Sequence, residues 1–309
     1  MKQILVPFDF SEYSRNALNT AVYFARVKDM DVKLLHVIEY PFASYYNMLG
    51  VNMMEDKALH EYENNLRVRV AEELDKVIAE LGHHKLRMSY EIKSGKAFNS
   101  IIKTAEFDKA DLIILGARGS SPIEHIFLGA TAERVIRHSA VPVLTVEKST
   151  QEYNINSIVF ASDFQEKNIN KILERVTRLA EIFMAKLYLV RVVTPGEFSS
   201  DKELEQKLLT LTEALDLSPG SITIYEDKNE EDGIVNFARE VNADLIAICT
   251  HGRTGIEHFF KGSIAEEVAQ KSTIPVLTYN IGKDRIKVSG KHLEPGYKRR
   301  KFVIKKLGE

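Results

Sequence analysis

Three glycines at fixed spacing carry the first chemical signal. Gly116, Gly119 and Gly129 follow the apolar run Asp111–Leu115, and the loop they punctuate ends at Ala130 and Thr131, where a helix is predicted to begin. Glycine lets a backbone turn sharply or come close to a ligand. A helix N-terminus presents unpaired N–H groups and partial positive charge, which suits an anion. The chemistry implied is a phosphate cradle. No Gly-Lys-Ser/Thr follows the loop, so it is not a Walker loop, and the spacing is not the G-x-G-x-x-G of dinucleotide folds. Arg118 lies inside the loop, either facing phosphates, which a guanidinium binds bidentately, or as an exposed turn residue.

The same stretch occurs twice. Residues 111–146 match residues 244–279 without a gap: Gly119 with Gly252, Gly129 with Gly262 and Pro142 with Pro275, each at 252 − 119 = 133. The chain is therefore a duplicated domain. In the second copy Cys249 stands where Gly116 does, Ser263 replaces Ala130 and His251 replaces Arg118. Ile-Glu-His recurs at 123–125 and 256–258. A repeat of that kind preserves packing more readily than it builds a metal site, and no zinc spacing occurs. Cys249 reads as a small core residue ending a strand. There is no G-x-S-x-G elbow, and no catalytic or metal-ligating residue is assigned.

The elements that must position these loops alternate strand and helix. Residues 3–8 read as a first strand containing Pro7, with Asp9 after it and Ser11 as helix cap; residues 32–40 read as the second strand, containing Val37. Asp9 is either a capping carboxylate or a ligand contact. The second half repeats this opening with Ala161 and Asp163, then a strand at 186–193 containing Val192. Since 163 − 9 = 154, the first repeat is longer by 154 − 133 = 21 residues. The excess falls in the aromatic and Met-rich segment 41–62, a packed loop or an apolar docking surface. A later strand leads to Gly95 before a helix. At the 133 offset the second repeat has Lys228, among Glu226, Asp227, Glu230, Glu231 and Asp232. This order predicts two tandem, open, parallel five-stranded sheets with helices on both faces, in which ligands bind at the carboxyl ends of strands.

Taken together, G-x2-G-x9-G after the fourth strand, with Pro7, Asp9 and Gly95, resembles the universal stress protein family. The resemblance covers residues 1–281. It implies a Rossmann-like fold of the adenine nucleotide alpha hydrolase type and ATP, with magnesium as a companion. The positions it carries over are Pro7, Asp9, Val37, Gly95, Gly116, Arg118, Gly119, Gly129, Ala130 and Thr131 in the first repeat, and Asp163, Val192, Gly252, Gly262 and Ser263 in the second. Ala130 and Cys249 depart from the family pattern. Pro7, Gly95 and Gly116, against Ala161, Lys228 and Cys249, rank the first repeat above the second for binding. The resemblance also implies a pseudo-dimer of domains 1–148 and 153–281 within one chain, with a homodimer of tandem chains open. The function implied is a stress sensor or regulator with little or no hydrolysis; the alternatives are a nucleotide-free scaffold and a nucleotide-handling enzyme.

Composition agrees with a cytoplasmic protein. No apolar run approaches membrane-spanning length, and one cysteine in 309 residues excludes an internal disulfide. The net charge of −2 gives no reason to expect nucleic acid as a specific partner. The tail 282–309 carries ten Lys/Arg against three Asp/Glu, leaving −2 − 7 = −9 on the rest. It is read as lying on the acidic body, binding an acidic protein partner, or loose.

Overall fold

Apolar β-branched runs become strands because both faces of a parallel sheet are covered. In the computed structural model Leu112–Gly116 is such a strand, with Ile113 and Ile114 fully buried. The structure describes residues 3–39, 57–81, 86–119, 128–147, 154–164, 169–195, 210, 222–250 and 264–280. They divide between two compact units, residues 1–135 and 136–309. The segment 41–56, the tail, and Gly252, Gly262, Ser263, His125, His251 and His258 lie outside the described residues.

The first unit holds β1 (Gln3–Pro7), β2 (Asp31–Ile38), β3 (Met88–Ser94) and β4 (Leu112–Gly116) in the order β3-β2-β1-β4, all parallel. Its helices are α1 (Glu12–Lys28), α2 (Lys57–Glu80), α3 (Ala97–Phe107) and the start of α4 (Ala130–His138). The order reverses between β1 and β4. Such a switch point opens a crevice at the carboxyl ends of the strands.

The second unit holds β5 (Val143–Val146), β6 (Ser157–Ala161), β7 (Lys186–Val193), β8 (Ile222–Glu226), β9 (Leu245–Thr250) and β10 (Val276–Asn280), ordered β5-β10-β9-β6-β7-β8. Helices α5 (Ile169–Phe183), α6 (Glu230–Glu240) and α7 (Ile264–Lys271) pack with it. All neighbours are parallel except β5 and β10. Each repeat thus contributes five strands, and the two terminal strands meet. Leu144 pairs with its own copy, Leu277, and the hydroxyls of Thr145 and Thr278 donate across the pair to the carbonyls of Val276 and Val143, each at 3.2 Å. The compact units consequently divide inside α4 and not at the linker between repeats.

Duplication is written in the backbone as well. Among the described residues six non-glycines have left-handed φ, and they form three matched pairs: Phe10 with Phe164, Asp29 with Met184, and Lys109 with Asn242. The first pair follows Asp9 and Asp163; the other two end helices. Asp111 and Asp244 are matched too. The Asp111 carboxylate accepts the Gln3 amide at 3.0 Å, and Asp244 accepts the amides of Asn156 and Ser157 at 2.8 and 3.0 Å. Each ties the start of the central strand to the start of the strand preceding the glycine loop.

Candidate functional site

The site is built at the carboxyl ends of β1 and β4. Asp9 follows β1, and its carboxylate accepts the Ser11 amide at 3.0 Å and the Ser11 hydroxyl at 2.5 Å. Ser11 in turn caps α1 by accepting the Ser14 amide at 3.1 Å. Asp9 therefore braces the cap, and its exposed carboxylate stays at the crevice mouth. Between them Phe10 sits at φ 66°, a conformation costing a bulky residue about 1–3 kcal/mol. Its ring rests 5.2 Å from Phe8 and 5.1 Å from His36, centroid to centroid. The His36 Nδ1–H donates to the Phe8 carbonyl at 2.8 Å, which fixes the ring nitrogen that carries hydrogen. Pro7 is half-buried directly before this turn.

At β4 the glycine loop is closed at its base: the Gly129 amide donates to the Ala117 carbonyl at 2.9 Å. Gly129 is buried, and its carbonyl accepts the Glu133 amide at 3.0 Å, the first bond of α4. The amides of Ala130, Thr131 and Ala132 have no preceding turn to bond within the helix. They face outward from a helix start that carries partial positive charge. Ala130 is exposed and has no hydroxyl to offer; Thr131, half-buried, has one. Gly119 is described and half-buried; residues 120–127 of the loop are outside the described set.

Two residues have structural reasons that spacing alone did not reveal. A Cβ on Gly116 would stand 2.7 Å from Tyr13 Cβ and 2.8 Å from the Tyr13 carbonyl carbon. Gly116 lets α1 pack on the end of β4. The Arg118 guanidinium lies 5.9 Å from the centroid of the Tyr13 ring, so that ring steadies the arginine beside the loop. Arg134 likewise stacks 4.1 Å over Phe98, joining the second turn of α4 to the first turn of α3.

The turn between the third strand of each repeat and the helix after it differs between the repeats. Gly95 has φ 124°, nothing within 4 Å of where a Cβ would be, and an amide bonded to the Ile38 carbonyl at 3.0 Å. Val37 beside it is half-buried. In the second repeat the matching bond runs from the Asp227 amide to the Val193 carbonyl at 3.2 Å. Asp227 therefore occupies the place of Gly95. The 133 offset had pointed to Lys228; one residue, Lys228, separates Asp227 from the cap Asn229 where Gly95 adjoins the cap Lys96, so the second turn is one residue longer. Val192, the partner of Val37, is only 4% exposed because Gly233 of α6 packs on it: a Cβ there would be 2.6 Å from Val192 Cγ1. Asn229 caps α6, accepting the Asp232 amide at 3.0 Å, and the Asp227 carboxylate accepts Asn236 Nδ2–H at 2.9 Å. Asp163 is half-buried after β6, where the Phe164 amide donates to Ser162 Oγ. Cys249 is half-buried at the end of β9.

Among the described residues no group of three His, Cys, Asp or Glu side chains could hold a metal ion, and no helix is long and apolar enough to cross a membrane. Sequence reasoning missed Tyr13, His36, Glu39 and Gly233. Glu39 had a usable signal, since it directly follows β2; the other three act through contacts distant in sequence.

A doubly wound parallel sheet with an anion-receptive loop at its switch point defines the class. The universal stress protein family model matches residues 1–147 and 154–280, and the chain belongs to that family. It is 32% identical over 158 residues to the universal stress protein MJ0577 of Methanocaldococcus jannaschii, a match covering 48% of this chain and 95% of that protein. Similarity to universal stress protein Slr1230 of Synechocystis runs through both repeats, at 26% identity over 90% of this chain and all of that protein. The crystal structure of a universal stress protein from Archaeoglobus fulgidus shares the fold, with TM-score 0.66 and 22% identity over 90% of this chain and 96% of that one.

Proposed function

We propose that the first repeat binds an adenine nucleotide, ATP foremost, and that the protein acts as a ligand-dependent stress sensor or regulator with little or no hydrolysis. The observation that carries this is the closed base of the loop, Gly129 N–H to Ala117 O, which sets the start of α4, with its unpaired amides, after the carboxyl end of β4. A preformed array of backbone donors holds phosphate oxygens without reorganising. Pro7, Val37 and Gly95 stand at or just after the carboxyl ends of β1, β2 and β3, the side on which the nucleoside would lie. A magnesium ion would arrive with the triphosphate, with Asp9 as the carboxylate at hand, and would neutralise phosphate charge. Among the described residues the crevice offers backbone amides, hydroxyls and Arg118, a set suited to holding a nucleotide and not to aligning an attacking water. In the second repeat Val192 is sealed by Gly233 and Asp227 brings negative charge, which disfavours a nucleotide there.

Calorimetry and native mass spectrometry of the purified full chain test this. One ATP per chain is expected, with binding lost on Gly119→Leu and retained on Gly252→Leu. Absence of binding would overturn the reading in favour of a scaffold working through 41–62 or the basic tail. Turnover of roughly several per second, vanishing in Gly119→Leu, would make the protein an enzyme.

A further inference from the structure

Glu39 is the residue that follows β2, and its exposed carboxylate has a defined seat. It accepts the amide hydrogen of Ala97, the first residue of α3, at 2.5 Å. The neighbouring Gly95 amide is bonded to the Ile38 carbonyl at 3.0 Å. The end of β2, the turn after β3 and the start of α3 are thus pinned together around one negative charge. Lys96, the residue capping α3 by position, supplies no side-chain cap, so Glu39 does that work from another strand. Neighbouring strands lie about 4.8 Å apart, which puts the end of β2 about 10 Å from the end of β4 in the order β2-β1-β4. A nucleotide with its phosphates on α4 would lay its sugar near that distance. The second repeat has no such carboxylate: the ladder pairs Val193 with Glu226 as it pairs Ile38 with Ser94, so the position after β7 belongs to Thr194.

An ionised carboxylate only accepts hydrogen bonds, and those from hydroxyls to it are charge-assisted. In dinucleotide-binding folds a carboxylate bonds the ribose 2′-hydroxyl. A phosphate brought to the same place would be repelled. We propose that Glu39 is a specificity-determining residue that accepts the hydroxyl hydrogens of a free ribose 2′,3′-diol and excludes ligands phosphorylated there. This rests on the nucleotide-binding reading of the first repeat. Because the helix amide holds it, the carboxylate is already oriented when the sugar arrives, so discrimination requires no closing motion.

The experiment is calorimetric titration of the full chain with ATP, 2′-deoxy-ATP and 2′-phosphorylated ATP, using wild type, Glu39→Ala and Glu39→Gln. Wild type is expected to bind ATP about tenfold more tightly than the deoxy ligand, the scale of one hydrogen bond to a charged group. Glu39→Ala should bring the two affinities together, chiefly by weakening ATP. Glu39→Gln keeps an acceptor for the Ala97 amide and guards against a folding defect; it should raise affinity for the 2′-phosphorylated ligand relative to ATP. If wild type binds ATP and both variants keep its ligand ratios, the role of Glu39 is overturned while the nucleotide reading stands. If wild type binds none of the three, the nucleotide reading itself falls.

Discussion

The turns after β3 and after β8 are copies of one ancestral feature, and they have diverged in opposite directions. After β3, glycine at φ 124° leaves open space, Val37 stays half-buried and a carboxylate reaches in from β2. After β8, Asp227 and Asn229 close the turn with their own side chains, and α6 comes down on Val192 at Gly233. The first turn leaves open space at Gly95, with the Glu39 carboxylate exposed at its edge. The second spends its hydrogen bonds internally: it gains a capped helix and a packed strand end. Local stability and an open site compete for the same groups, and each repeat has taken one of them.

Converting one turn into the other gives the largest expected effect. Gly95→Asp should lower ATP affinity more than tenfold in calorimetry, because it adds charge and occupies the open space. Forcing a side chain onto φ 124° should also cost about 1–3 kcal/mol in urea unfolding. The reverse change, Asp227→Gly, should create no second binding site, since Gly233 still covers Val192. A second equivalent of bound ATP in that variant would break the comparison.

Packing at α6 comes next. Gly233→Ala normally favours a helix, yet here the new methyl meets Val192 Cγ1 at 2.6 Å and Asp227 Cβ at 2.9 Å. The expected result is a loss of about 1–3 kcal/mol on denaturant unfolding. Ser100, 133 residues earlier on α3, already carries a side chain at the matching buried position. Stabilisation by Gly233→Ala would show that α6 does not seal the second turn.

The helix caps should move stability by about 1 kcal/mol in opposite senses. Asn229→Ala loses the bond to the Asp232 amide and should lower the urea midpoint. Lys96→Asn adds a side-chain acceptor at the cap position itself, beside the bond from the Ala97 amide to Glu39, and should raise it.

The smallest effect is alkaline. Tyr225 on β8 donates to Glu240, and this hydrogen bond, with burial and the nearby carboxylates of Glu240 and Asp227, pushes its pKa up to about 12 from 10.0. The folded value exceeds the unfolded one, so the stabilisation is whole below pH 10 and is lost as pH rises toward 12. Its ladder counterpart, Lys93, bonds Thr104 instead. Thermal melts should show wild type losing its advantage over Tyr225→Phe across that window. An unchanged difference between the two proteins would remove Tyr225 from the alkaline response.

Much of this molecule was legible in the chain, because it depends on local rules or exact repetition. Apolar runs such as Leu112–Leu115 are strands wherever both faces are covered, Ser11 caps α1, and the 133-residue offset announces two copies of one fold. What tertiary structure alone decided is the reason behind individual residues. Gly116 is small because Tyr13, over a hundred residues earlier, backs onto it. Asp227, not Lys228, replaces Gly95, because strand pairing and not residue count sets the turn. Glu39 matters because folding brings Ala97, 58 residues away, within a hydrogen bond of it. Spacing records what neighbours along the chain require, whereas the shape of a crevice is set by steric contact and hydrogen bonding between strands and helices that sequence order keeps apart.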